Sequence, residues 1–206
     1  SGEVRGRLVM GTSHHIGLHR LPAPLKRFTE RFPQVELDIR FMDSEAACRA
    51  VETGDLELAI VTLPPDRPAN LHLEKIWHDP LAFMVGLDHP LAGRDAVDLT
   101  ELMAYPAVLP GGTTYTRGVL EQAVRDSTAE LHVAMATNYL ETLRMLVATG
   151  LGWSLLPATL LDDEVYALPV RGMTLSRDLG AATHRKRSLS NAGEEMIRIC
   201  RQASDG

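Results

Sequence analysis

The first 62 residues alternate between short apolar runs and stretches of helical period, and this alternation limits the fold more than any other feature. Arg7-Leu8-Val9-Met10-Gly11 reads as a buried strand. Leu18, Leu21, Leu25, Phe28 and Phe32 then recur at three- and four-residue steps, one face of a helix. Pro22 and Pro24 are expected to kink it or delay its start, and Pro33 to end it. Val35 to Phe41 alternates strictly, as a half-buried strand does. Asp43 and Ser44 are N-cap candidates for a helix running to about Thr53, with Gly54 as its stop. Leu56 to Val61 is a further strand. Strand, helix, strand, helix, strand in this order implies a parallel sheet with right-handed crossovers.

A second set of the same kind follows. Leu71 to His78 and Leu81 to Leu87 read as two strands broken by Asp79-Pro80. Leu99 to Met103 is a helical turn, and Pro106 to Leu109 a strand. A helix from about Tyr115 to Arg125, a strand from Leu131 to Ala136 and a helix from Tyr139 to Thr149 come next, then a strand over Gly152 to Pro157. Val165 to Val170 and Arg177 to Thr183 are strands, and Ser190 to Cys200 a helix with Ser190 as its N-cap. The last strand and helix lack partners in the second set, so the simplest packing returns them to the first. The expected fold is therefore α/β, two Rossmann-like lobes joined by two crossovers. Lobe I comprises 1–77 plus 172–206, and lobe II 78–171. Two crossovers make a hinge, and the cleft between lobes is the expected ligand site.

The charge balance narrows the partners. A net charge of −6 argues against nucleic acid as a direct partner, because phosphate binding needs a basic face. His184-Arg185-Lys186-Arg187 is a local basic run, read as a solvated strand end. Two cysteines, Cys48 and Cys200, make neither a disulfide framework nor a zinc site and fit a reducing cytoplasm. The apolar runs fall far short of a membrane span. Ser1-Gly2-Glu3 carries no signal segment and is expected to be a junction, with the natural protein beginning earlier.

The chain resembles the effector-binding domain of LysR-type transcriptional regulators. The landmarks occur in order: Arg7 to Gly11, Leu21-Pro22 through Phe32-Pro33, Val35-Glu36-Leu37, and Gly54-Asp55-Leu56-Glu57-Leu58-Ala59-Ile60. His89-Pro90-Leu91-Ala92, Met145 to Pro157 and Leu189-Ser190-Asn191-Ala192 complete the set. Glu57 departs from the family's aspartate, and His14-His15 is no family signature. The family's N-terminal winged helix-turn-helix and linker helix are absent from this chain. The resemblance implies a fold like type II periplasmic binding proteins and a small-molecule effector in the cleft. It also implies a homodimer or tetramer that reaches DNA only through the missing N-terminal domain.

The candidate effector residues lie at strand-to-helix junctions. Thr12, Ser13 and His14 follow the first strand, at the sheet edge where ligands sit in open α/β folds. Free backbone N–H groups there favour an anion, although Thr12 or Ser13 can equally serve only as a helix cap. Thr62 follows the third strand at the same edge. Gly111, Gly112 and Thr113 repeat the arrangement in the second lobe, the glycines permitting close backbone approach, and Asn138 lies at the next junction. An effector is expected to bridge Thr12, Ser13 and His14 to Thr113 or Asn138. Of the two adjacent histidines, His14 is the expected donor, while His15 and His19 are expected on the surface or a dimer face. No metal is expected, since metal sites need three or four ligands and no further partner is patterned here. No cofactor motif and no catalytic constellation is present: Ser154 lies on no nucleophile elbow, and there is no P-loop. The alternative is a stand-alone solute-binding protein of the same fold, against which the absent signal segment, the His89-Pro90-Leu91-Ala92 motif and the absent disulfide weigh.

Overall fold

A computed structural model describes residues 3–204. The chain forms two compact units, Ser1–His78 with Asp178–Gly206, and Asp79–Arg177. It passes between them twice, within the strands β4 (Leu71–Gly86) and β9 (Ser176–His184). The sequence division at 171/172 follows the Gly172 turn, which has φ +74°; the chain leaves the second unit six residues later, inside β9.

The first unit is built on β1 (Gly6–Thr12), β2 (Val35–Phe41) and β3 (Leu58–Thr62). β1 pairs in parallel with both others, giving the order β2-β1-β3, and β9 then adds antiparallel to β3. β3 is buried throughout because both its faces are covered, as central parallel strands require. Leu58 and Ile60 join Leu8, Met10 and Phe28 in one core with Met196, Ile199 and Cys200. On the other face α3 (Ser44–Thr53) packs on β3 and β1. Gly11 makes room for the Leu56 side chain between α3 and β3: a β-carbon there would lie 2.5 Å from Leu56 Cδ1.

The single expected first helix is two. α1 (His14–His19) ends at Arg20, and α2 (Pro22–Arg31) begins with Pro22, whose missing N–H suits a helix start better than an interior. α3 ends where the sequence places its stop, at Gly54 in the left-handed region with φ +85°. The C-terminal helix α7 (Asn191–Ser204) packs on α2 and β1. Ser190 caps it, its Oγ accepting from the Gly193 amide at 3.1 Å, while Glu57 accepts from the Ser190 amide at 2.6 Å. Glu57, the departure from the family's aspartate, thus ties the entry of β3 to the start of α7.

The second unit holds the far half of β4, which pairs antiparallel with β7 (Ser154–Pro157) and β8 (Val165–Ala167). β5 (Ala107–Leu109) pairs in parallel with β6 (Val133–Ala136). Successive β4 side chains serve two cores: Phe83 and Val85 pack with Trp153 and Leu120, and Met84 packs with Val108, Leu143 and Leu156. Trp153 is fully buried and donates from Nε1 to the Tyr105 carbonyl at 3.0 Å. α4 (Leu99–Met103), α5 (Tyr115–Val124) and α6 (Leu140–Ala148) complete the unit. His89-Pro90-Leu91-Ala92 is a turn in which His89 Nδ1 accepts from the Leu91 amide at 3.0 Å.

The expected break at Asp79-Pro80 does not occur, and β4 runs unbroken from Leu71 to Gly86. The two residues look like breakers, but Asp79 is a fully buried carboxylate that accepts from Arg177 Nε at 2.7 Å. Among the described residues no helix is long and apolar enough to cross a membrane.

Candidate functional site

In the first unit the order β2-β1-β3 places a topological switch point at the carboxyl ends of β1 and β3. Thr12 ends one strand and Thr62 the other. Thr12 is fully buried, and its Oγ1 has no hydrogen-bond partner among the described residues. Such a hydroxyl carries a desolvation penalty of about 1–3 kcal/mol. Ser13 is the N-cap of α1 and accepts from the Ile16 amide at 3.4 Å, a long bond that leaves the hydroxyl weakly held. The Thr62 amide donates to Ser44 Oγ at 3.0 Å. Ser44 is buried at the start of α3. The sequence marks it only as a cap candidate, whereas its hydroxyl serves the neighbouring strand end, a contact spanning 18 residues.

The histidines part company. His14 is exposed, its ring 5.6 Å from that of Phe41 at the end of β2. His15 corrects the sequence reading: it is buried, 4% exposed, and its ring lies 4.3 Å from that of His19. With His14 turned out, the next residue of a helix turns some 100° towards the core, so burial of one adjacent histidine follows from helical geometry.

The second unit repeats the arrangement around β5. Pro110 to Thr114 connects β5 to α5, and Thr114 caps that helix by accepting from the Arg117 amide at 3.1 Å. The Gly111 amide donates to Asn138 Oδ1 at 2.8 Å. A β-carbon on Gly111 would lie 2.7 Å from that same oxygen. Gly111 is therefore small to admit Asn138, while Gly112 faces open space. Thr113 and Asn138 are exposed beside this junction. Thr116, in the first turn of α5, accepts from Arg177 Nη1 at 3.0 Å. Asp79, Arg177 and Thr116 thus fix the start of α5 to the two strands that leave the unit. No local pattern joins residues 61 and 98 positions apart. The hollow of about 520 Å³ lined by Arg144, Met145, Thr149 and Glu164 lies at the far end of α6 from Asn138.

The family model for the LysR substrate binding domain matches residues 1–205. The chain belongs to this family. A probable nitrogen assimilation transcriptional activator of Synechococcus elongatus is 29% identical over 158 residues, 76% of this chain and 51% of that protein. The C-terminal domain of a probable LysR family regulator from Rhodococcus sp. RHA1 is 27% identical, with a TM-score of 0.82, covering 96% of this chain and 99% of that one. The effector-binding domain of QuiR, solved in complex with shikimate, superposes with a TM-score of 0.87 at 17% identity and 98% coverage of both chains. The fold of this LysR-family domain is thus of the type II periplasmic-binding-protein kind, as the sequence resemblance implies. The chain spans 51% to 65% of the length of the curated regulators it matches.

Proposed function

We propose that this LysR-family domain senses a small-molecule effector and conveys its presence to a DNA-binding segment outside this chain. Thr12, Ser13 and Thr62 are the effector's candidate contacts in the first unit, and Gly112, Thr113 and Asn138 are the candidates at the corresponding junction of the second unit. One observation carries the reading: the hydroxyl of Thr12 is buried, unpartnered and sited at a switch point. A ligand oxygen would supply the missing hydrogen bond. Amides at the start of α5 favour an anionic ligand. His14, stacked over Phe41, stands beside Thr12 and Ser13 and tunes which ligand is accepted there. The effector changes the assembly through its differential affinity for two arrangements of the chain.

The domain acts as a homodimer or higher assembly in the cytoplasm, not as an enzyme. β6 is an edge strand whose four residues are all exposed, Val133 and Met135 among them, and Tyr139 and Met145 add exposed apolar surface nearby. Leu18 and Phe41 do the same in the first unit. Exposed edges and apolar patches of this kind favour pairing with a second copy. Sedimentation of Met135→Glu against wild type tests the assembly, with a shift to smaller species expected. A thermal-shift screen of small carboxylates, shikimate included, tests the site. A stabilising compound should lose its effect in Ser13→Ala or in Thr113→Ala; stabilisation surviving both substitutions would move the site elsewhere.

A further inference from the structure

The basic run at the end of β9 is not isolated. Arg185 shares a hollow of about 250 Å³ with Arg67, Pro68, Leu71, His72 and Leu73. The antiparallel register of β3 and β9 pairs Thr62 with Leu179 and Leu58 with Thr183, so Arg185 lies at the opposite end of the sheet from Thr12 and Thr62. The Arg185 amide donates to the Asn70 carbonyl at 2.8 Å, which holds the base of the hollow together. Among the described residues no carboxylate lines it. Nearby Glu74 is engaged by Arg201, and Asp178 by Lys75, whereas neither Arg67 nor Arg185 makes an ion pair among the described residues.

Arg67 is also the one non-glycine residue among those described with positive φ, at +46°. A glycine would hold this turn without strain, while arginine holds it at a cost. The strain places a long cationic side chain beside a second arginine in a chain whose net charge is −6. We propose that this hollow binds a phosphate-type oxyanion carried on a small molecule. Two guanidinium groups present paired N–H donors suited to such an anion, and His72 adds a ring nitrogen. The space is smaller than a usual drug-sized pocket, which suits a phosphate on a short organic stub. The overall negative charge disfavours a polyanion.

The test is titration of the domain with inorganic phosphate, sodium chloride holding ionic strength constant, read by calorimetry and thermal midpoint. Saturable binding is expected. Arg185→Gln and Arg67→Gly should each weaken it by about tenfold or more, and Arg171→Gln, in the second unit, should leave it unchanged. Arg67→Gly relieves the strained turn, so its thermal midpoint without phosphate should hold or rise, separating lost binding from lost folding. A phosphate response equal to that of chloride, one unaffected by Arg185→Gln, or one lost in Arg171→Gln would overturn the proposal. Displacement of bound phosphate by a short DNA duplex would assign the anion to a nucleic-acid backbone and overturn its small-molecule source.

Discussion

Arg177 Nε donates to Asp79 Oδ2 at 2.7 Å, with the two side chains 4% and 0% exposed, although 98 residues separate them in the chain. They are the last and first residues of the second unit. Removing one partner leaves the other charge buried, so Asp79→Ala should cost about 3–5 kcal/mol. The double variant Asp79→Leu, Arg177→Met removes both charges and should recover most of that loss. Urea unfolding of the three proteins checks the pair.

Thr12→Val replaces a buried, unpartnered hydroxyl by a methyl group of the same shape. The substitution should stabilise the domain by about 1 kcal/mol, because an unsatisfied polar atom is removed. Thermal unfolding reads the gain. A loss of stability would mean that the hydroxyl is already satisfied within the protein.

Gly180→Ala should be far more damaging than its size suggests. A β-carbon there would lie 1.9 Å from the Glu74 carbonyl on β4 and 2.9 Å from its carbon, both backbone atoms that cannot swing aside. A cost of about 3 kcal/mol or more is expected, at the upper end of overpacking. Chemical denaturation measures it, and the same change at Gly112, which meets open space, is the control.

Glu74 links β4 to α7 through two hydrogen bonds from Arg201, at 2.8 and 2.9 Å. The Arg201 hydrogen bond holds its carboxyl below the ordinary glutamate value of 4.5, with partial burial opposing. A carboxyl lowered in the folded state contributes stability that is present above its unfolded value and is lost as pH falls through its folded value. Glu74→Gln should therefore cost about 0.2–1 kcal/mol at neutral pH, the modest worth of a solvent-screened pair. The difference from wild type should shrink as pH falls below the ordinary glutamate value and the folded-state carboxyl protonates. Unfolding across that range tests the sign.

Much of this fold is legible in the sequence because its signals are local. The alternation of Val35 to Phe41, the left-handed stop at Gly54 and the hydroxyl cap at Ser190 each act within a few residues. The failures share one cause, which is a partner distant in the chain. Asp79-Pro80 has the composition of a break until Arg177 is brought beside it. Gly111 reads as room for a ligand until Asn138 is found in that space. Ser44 reads as a cap and not as a partner of Thr62. Both strand-to-helix junctions could be located from strand-helix order alone, but the bonding of their side chains is set by tertiary packing.

The central claim is that Thr12 lends its hydroxyl to an effector. Calorimetric titration of the most stabilising carboxylate from the screen into wild type and Thr12→Val tests it most directly. The account predicts that the valine variant, though more stable, binds at least about tenfold more weakly, the loss of one buried hydrogen bond. Equal affinity in the two proteins would contradict it.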